Sequence, residues 1–449
     1  MTNSEYAIWA AFLWPGGHHH AAWRLPDSTG DDLHSIENYR RMARAAERAK
    51  LDVVFLGDLL AIWPLPWELL ARTARAARLE PIVLASALTQ VTEEIGFVAT
   101  ASTSFNEPFN VARQFGSLDH ISGGRIGWNV VTTFTDDSAK NFGIDTLPPR
   151  AERYERAQEF LDVVKALWDS YEDDAVVRDK AAGQFFDPAK LHRLDHTGEH
   201  FKVLGPINME RPPQGYPVIC QAGASAEGTA FAAANGELLF TIASSLERAQ
   251  EYYRTIKTAA SDAGRDPDHI KVLVGLNPVI GRTRAEADEK YEQMQSLLDS
   301  SVARSLAETY FGIDLSSYAL DELVPEIELP EVGNGMPRAH QEFMLNKARD
   351  EELTMRQLVS GFNGLNIYPA SAEEAADQFE EYFRNDACDG FILQISHVPE
   401  GVDDFVTLVA PELRKRGILR SEYSGRTLRE KLGLPRPENQ FAGSRLRAG

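Results

Sequence analysis

Cysteine is nearly missing from this chain: Cys220 and Cys388 are the only two in 449 residues. Both fall in apolar, strand-like runs, which suits buried thiols in a reducing compartment and excludes a disulfide-stapled scaffold. Positive charge is also short. Forty-six Lys and Arg stand against 67 Asp and Glu, a formal net charge of −21. That average repels duplex DNA and anionic lipid, so neither nucleic acid nor membrane is an expected partner. No window reaches the roughly 18 apolar residues of a spanning helix, and no basic stretch leads into an apolar run near the start, so a cytoplasmic protein is expected. G-x-G-x-x-G is absent, which weakens any case for tight nicotinamide binding. No activated Ser or Cys, no paired carboxylates and no metal-spaced ligand set stand out, so the chemistry is expected to come from a bound cofactor.

What is present is an ordinary globular composition, 43% hydrophobic and 25% charged, arranged as short apolar runs alternating with helical patterns. The runs predict strands at Ala7 to Phe12, Asp52 to Gly57, Ile95 to Thr100, Ile126 to Val131, Val218 to Gln221, Leu238 to Ile242, Lys271 to Val279 and Gly390 to Ile395. Helices are predicted between them at 36–49, 81–92, 108–121, 150–168, 227–234, 246–263, 284–306 and 403–415. Repeated βα units whose strands are apolar on both faces predict a parallel sheet, and eight of them an α/β fold of the closed (β/α)8 TIM-barrel type. One domain over 1–449 is expected, with insertions at about 61–80, 169–215 and 312–370 and a tail over 419–449. The first two insertions are expected to wall a pocket and the third, rich in Glu and Pro, to form a lid. The polar tail is expected to pack on a neighbouring subunit, giving a homodimer or homotetramer.

In such a barrel the chemistry sits at the C-terminal strand ends. The segment Ser117 to Thr132 (SLDHISGGRIGWNVVT) reads as a helix end, a Gly-Gly turn and a strand with a polar end. There Asn129 offers both a donor and an acceptor to the edge of a planar heterocycle, with Thr132 beside it; a tie between strands is the plainer role. Asp58 closes strand 2 in FLGD, where it needs a donor or serves as an N-cap. Strand 3 ends in hydroxyls, TASTSFN, including Thr103 and Ser104, which can also simply satisfy loop backbone. Arg150 and Tyr154 open a helix in RAERY, where free N–H groups and the dipole suit an anion. The turn QAGAS, with Gly223 and the N-cap Ser225, lets backbone approach a phosphate. His18, His19 and His20 follow strand 1 without acidic partners at metal spacing; an exposed loop is the alternative. His397 is placed to face the pocket after strand 8, and Trp9, Phe12, Trp14, Phe55, Trp63 and Phe240 are available either as its wall or as barrel core.

The phrases SGGRIGWNVVT, TASTSFNEP, RAERY, QAGAS, WRLPD from Trp23 and EYSGRTLREKLGLPRP from Glu422 resemble the flavin-dependent monooxygenases of the nitrilotriacetate, pristinamycin IIA synthase and dibenzothiophene sulfone type, within the bacterial-luciferase-like superfamily. The resemblance implies reduced FMN, delivered by a separate NAD(P)H:flavin reductase, that reacts with O2 to give a C4a-peroxide and oxygenates a small organic substrate. It implies flavin contacts at Asp58, Thr103, Ser104, Asn129 and Thr132, and phosphate contacts at Arg150, Tyr154, Gly223 and Ser225. It implies catalytic roles for Asn129 and for His18 or His19. The family's phrase has His where this chain has Arg150, and several sulfone-type members have His where it has Asp299. The shared 172–201 segment tilts the substrate toward a sulfone or other aromatic heterocycle. A deazaflavin-dependent hydride transfer and a non-catalytic flavin carrier are the rival readings.

Overall fold

The computed structural model describes residues 5–442 apart from 64, 224, 244, 331–337 and 363–366. Eight parallel strands form the barrel: β1 (Ile8–Phe12), β2 (Val53–Leu56), β3 (Gly96–Ser102), β4 (Ile126–Val131), β5 (Val218–Gln221), β6 (Leu238–Ile242), β7 (Lys271–Gly281) and β8 (Gly390–Gln394). Each pairs with the next, and β8 returns to β1 with Ile8 opposite Gly390, so no barrel edge is left open. These are the eight strands the apolar runs predict. The alternation of side chains then sorts the residues. Ile8, Ala10, Val53, Phe55, Val98, Cys220 and Ile392 fill the barrel, whereas Val54, Phe97 and Trp128 face the helical layer. Trp9 belongs to that outer layer, packed on Phe379, Phe391 and Phe405, because it is one residue out of phase with Ile8 and Ala10. It is therefore removed from the expected pocket wall.

The structure corrects several boundaries. The predicted helix at 284–306 is two, Arg284–Leu297 and Ser300–Phe311, because Asp299 caps the second through Ser301 N at 2.9 Å. The helix at 403–415 is interrupted by a π turn at Phe405–Val409, immediately before Pro411, whose missing N–H cannot continue an α ladder. A strand at Ile367–Ser371, inside the segment read as the third insertion, pairs with the outer half of β7 and leads into the helix Ala372–Arg384. Ahead of it, Phe311, Leu315, Val324, Leu345, Met355 and Leu358 build a separate small core, so the described part of 312–370 is a packed subassembly. The remainder of the expected lid, 331–337 and 363–366, lies outside the described residues.

The insertion at 169–215 does not wall the mouth. It follows a helix, not a strand, and so emerges at the N-terminal end of the barrel, where buried Arg211 pairs with Asp169 at 2.8 Å and donates to Pro437 O at 2.9 Å. The described part of the tail meets it there, packed against its own barrel. Leu428, Leu432 and Leu434 join the buried cluster that fills the barrel, at the layer of Gly96 and Val53. Arg429 holds Glu237 at 2.5 Å, and Lys431 holds Glu94 at 2.6 Å. Gly96 makes room: a Cβ there would lie 2.6 Å from Leu428 Cδ1. Emptying that plug by Leu428→Ala should cost about 2–5 kcal/mol of stability, the usual range for a fully buried leucine. Urea unfolding measures it, and a loss below about 1 kcal/mol would mean that the tail does not plug the barrel in solution.

Candidate active site

The C-terminal mouth gathers residues from almost every strand end. Thr100 and Asn129 face inward one step above Val98 and Gly127, and Gln394 does so above Ile392, over the rings of Phe12, Phe55 and Phe240. Phe12 and Phe55 meet edge to face at 5.0 Å, with Phe240 at 6.2 Å from Phe55, forming an aromatic floor. Gly275 belongs to that floor because a Cβ would meet the Phe240 ring at 2.9 Å.

Asn129 is oriented without ambiguity. Thr100 Oγ1 donates to Leu56 O at 2.8 Å, a carbonyl that can only accept, so the same oxygen accepts from Asn129 Nδ2 at 2.9 Å. The amide nitrogen therefore ties strands, and Oδ1 is left buried with no partner among the described residues. Both polar atoms of the Gln394 amide, and Gln221 Oε1, are likewise buried and unpaired among the described residues. Unpaired buried polar atoms are costly, and these converge on one mouth, which makes them candidates for a ligand.

The three histidines are buried, not exposed. His18 Nδ1 lies 3.0 Å from Ile395 O and must carry its proton there, which leaves Nε2 a lone-pair acceptor that is buried and unpaired. Burial first, then the nearby Arg75 charge, pushes its pKa down to about 3, so the ring is neutral at neutral pH. His19 differs: Nε2 meets Gln295 Oε1 at 3.1 Å and Nδ1 accepts from Ala21 N at 3.1 Å, so both nitrogens are engaged. His20 Nδ1 is buried without a partner among the described residues, and burial holds its pKa well below the ordinary value. The sequence left open whether His18 or His19 faces a ligand; of those two, only His18 keeps a ring nitrogen for one.

Around the rim, the hydroxyls of strand 3 serve the backbone of strand 4. Ser104 Oγ donates to Thr132 O at 2.8 Å, Thr103 Oγ1 to Val131 O at 3.2 Å, and Ser102 Oγ meets Thr133 Oγ1 at 2.6 Å. Arg153, which the sequence reading passed over, holds Thr132 O at 3.2 Å and Thr133 O, and so fixes the turn where Thr133 has φ +50°. Its neighbour Arg150 is exposed. Across the mouth, Ser225 caps Ala226–Asn235 through Gly228 N at 3.0 Å. The Tyr154 hydroxyl approaches the same turn: a Cβ on Gly223 would lie 3.3 Å from it and 2.5 Å from Gln221 Nε2, and one on Gly228 2.9 Å from it. Tyr154, Gly223 and Ser225 are therefore brought together, and the exposed Arg150 lies near Glu227 in the first turn of the helix that Ser225 caps.

Asp58 lies 4.0 Å from Arg78, and burial raises its pKa above the ordinary carboxylate value. Arg75 and Arg78 both lie 4.8 Å from the Trp14 ring. With Arg72 they occupy every third position of ARTARAAR (71–78), a spacing visible in the sequence and not used by its reading. Asp299, where several sulfone-type members carry His, caps a helix and pairs with Arg72. Farther round, His397, Glu400 and Asp404 bring ligand atoms within 4.8 Å of one another. Lys290 Nζ sits among them, 2.7 Å from Asp404 and 3.0 Å from Glu400, and supplies the cation that those carboxylates require.

A family model described as luciferase-like monooxygenase matches residues 13–386. N-acetyl-S-(2-succino)cysteine monooxygenase of Bacillus subtilis is 44% identical over 447 residues, covering 98% of this chain and 100% of that protein. Nitrilotriacetate monooxygenase component A of Aminobacter aminovorans is 42% identical, covering 95% of this chain and 96% of that protein. The solved structure of EDTA monooxygenase from Chelativorans sp. BNC1 is 33% identical with a TM-score of 0.79, covering 96% of this chain and 99% of that one.

Proposed function

The chain belongs to the luciferase-like monooxygenases and is a flavin-dependent monooxygenase; from that premise we propose that it is an oxygenase component that takes reduced FMN from a separate NAD(P)H:flavin reductase. Its substrates would be O2 and a small organic molecule. The observation that carries this reading is the ring of buried, unpartnered polar atoms at one end of the barrel: Asn129 Oδ1, the Gln394 amide and His18 Nε2.

These atoms fit a flavin. Its ring edge alternates donors and acceptors, and the aromatic floor of Phe12, Phe55 and Phe240 offers an apolar bed beneath them. The turn at Gly223 and Ser225, approached by the Tyr154 hydroxyl, leaves the close space that a phosphate takes at a helix N-terminus. Bound reduced flavin supplies the electrons with which O2 is activated and one oxygen atom transferred. The residues of the chain do the rest. Asn129 and Gln394 fix the ring, His18 holds an acceptor at its reacting edge, and the floor excludes water. The relatives named above act on nitrilotriacetate, EDTA and a succinylated cysteine by their names, so the tilt toward a sulfone-type heterocycle has rivals of quite different charge.

The test supplies FMN, NADH and a generic flavin reductase and follows O2 uptake and product. Oxygenated product that requires reduced FMN is expected. Hydride transfer from a reduced deazaflavin, or tight FMN binding with no oxygenation of any substrate tried, would replace the proposal. Tyr154→Phe and Ser225→Ala should each weaken FMN binding by about tenfold, the worth of one hydrogen bond to a charged group. Unchanged affinity in both variants, measured by equilibrium dialysis, would remove the phosphate site.

A further inference from the structure

The middle arginine of the 72–78 series is built differently from its neighbours. Arg72 pairs with Asp299 and Arg78 with Asp58. Arg75 is the most buried of the three, 8% exposed, and among the described residues no carboxylate pairs with it. Its one hydrogen bond among those residues runs from Nη2 to His18 O at 2.6 Å, and its guanidinium lies 4.8 Å from the Trp14 ring. Around it stand Arg78, His18, His19 and His20 and, among the described residues, no compensating charge. Desolvation and the Arg78 charge push even its guanidinium down to about 9.

A buried guanidinium without a counter-ion is an expensive arrangement, and in a chain of net charge −21 acidic partners are plentiful. Its position matters as much. The carbonyl it grips belongs to His18, whose Nε2 is the free acceptor of the mouth, so an anion on Arg75 is placed beside the reacting edge. The cluster of Tyr154 and Ser225 belongs to the strand 4 and strand 5 ends and gives the cofactor's phosphate a place of its own. Resting on the flavin-site reading above, we infer that the substrate is an anion, a carboxylate-bearing small molecule whose carboxylate pairs with the planar fork of Arg75 while Trp14 packs against the same guanidinium. Trp14 and Arg75 would select the charged end of the substrate, leaving the oxidised end to face His18.

The probes are thiodiacetate and citrate, with dimethyl thiodiacetate as the neutral control and inorganic phosphate as the competing anion. Thermal melting and calorimetry are run on the whole protein, with and without saturating FMN, for wild type, Arg75→Gln and Arg75→Lys. At least one dicarboxylate or tricarboxylate is expected to raise the melting temperature of wild type whether or not FMN is bound, and the diester to have no effect. Arg75→Gln should bind the carboxylate at least about tenfold more weakly and Arg75→Lys less so, because lysine keeps the charge and loses the fork. Without ligand, Arg75→Gln should melt at or above the wild-type temperature, since it removes an uncompensated buried charge. A purely structural arginine predicts the reverse: a lower melting temperature and unchanged carboxylate binding, which would overturn the inference. So would carboxylate binding that FMN abolishes, or protection by phosphate alone, either of which assigns Arg75 to the cofactor. So would the absence of binding by every carboxylate. Failure of wild type to bind FMN at all would count against the flavin site itself.

Discussion

Replacing His18 with glutamine is expected to lower oxygenated product per flavin oxidised by about 100-fold or more, the range lost with a positioned acid–base group. The oxygen consumed should appear as hydrogen peroxide, while FMN affinity changes little, because the phosphate contacts lie elsewhere. The expectation follows from the tautomer. With Nδ1–H committed to Ile395 O, Nε2 can only accept, and it is buried with nothing in the described chain to accept from. Glutamine keeps polarity but cannot put a basic nitrogen there. The same geometry fixes the pH behaviour. A pKa of about 3 leaves His18 neutral from pH 5 to pH 8, so no inflection in the rate over that interval belongs to it. His19→Gln should differ, damaging stability through Gln295 and Ala21 more than turnover. Equal loss of coupling in both variants, measured as peroxide yield, would contradict the assignment of His18.

The second large effect is acid sensitivity. His18 is depressed to about 3, His19 and His397 to about 4, and His20 well below the ordinary value, in each case chiefly by burial. A histidine with a lowered folded pKa binds its proton only on unfolding, so its stabilisation is full above the unfolded value near 6.5 and is lost as pH falls below it. Asp52 and Asp119, raised by burial to about 6, act the other way between pH 4 and pH 6. Among these six groups, four protons taken up against two released leave a net uptake of about two, or roughly 2.7 kcal/mol of stability lost per pH unit near pH 5. Asp58, Glu80 and Asp404, also raised by burial, reduce that slope. Urea unfolding across pH 4.5 to 7.5 reads that slope directly. His18→Gln should reduce it by about one proton, roughly 1.4 kcal/mol per unit. A flat profile would mean that the histidine run is solvated in the folded protein.

The barrel was legible because its strands are apolar on both faces, a pattern that helices and loops do not share. Asn129 was legible for the complementary reason, as an amide where an apolar residue would be cheaper. What escaped depended on distance along the chain. The Arg75 site needs Trp14, His18 and the strand 2 loop together, and no local periodicity joins residues 57 positions apart. The tail was misjudged by its polarity: Arg429 and Lys431 are buried, but each meets a carboxylate from another element, Glu237 or Glu94, so their charges are compensated out of sight of the local sequence. The Ile367–Ser371 strand was hidden because its short apolar run is diluted by Tyr368, Pro369 and Ser371 and lies on an outer edge. Trp9 was available by type for either the pocket wall or the barrel core, and its phase sends it to the outer layer.

The most direct test of the account is a crystal structure of the protein grown with FMN. The isoalloxazine ring is predicted to lie over Phe12, Phe55 and Phe240 with an edge on Asn129 Oδ1 and Gln394, and His18 Nε2 at its reacting side. The phosphate should lie within about 3 Å of Tyr154 Oη and Ser225 Oγ. Flavin bound elsewhere, for instance beside His397 and Lys290, or in the mouth with its phosphate on Arg75, would contradict it.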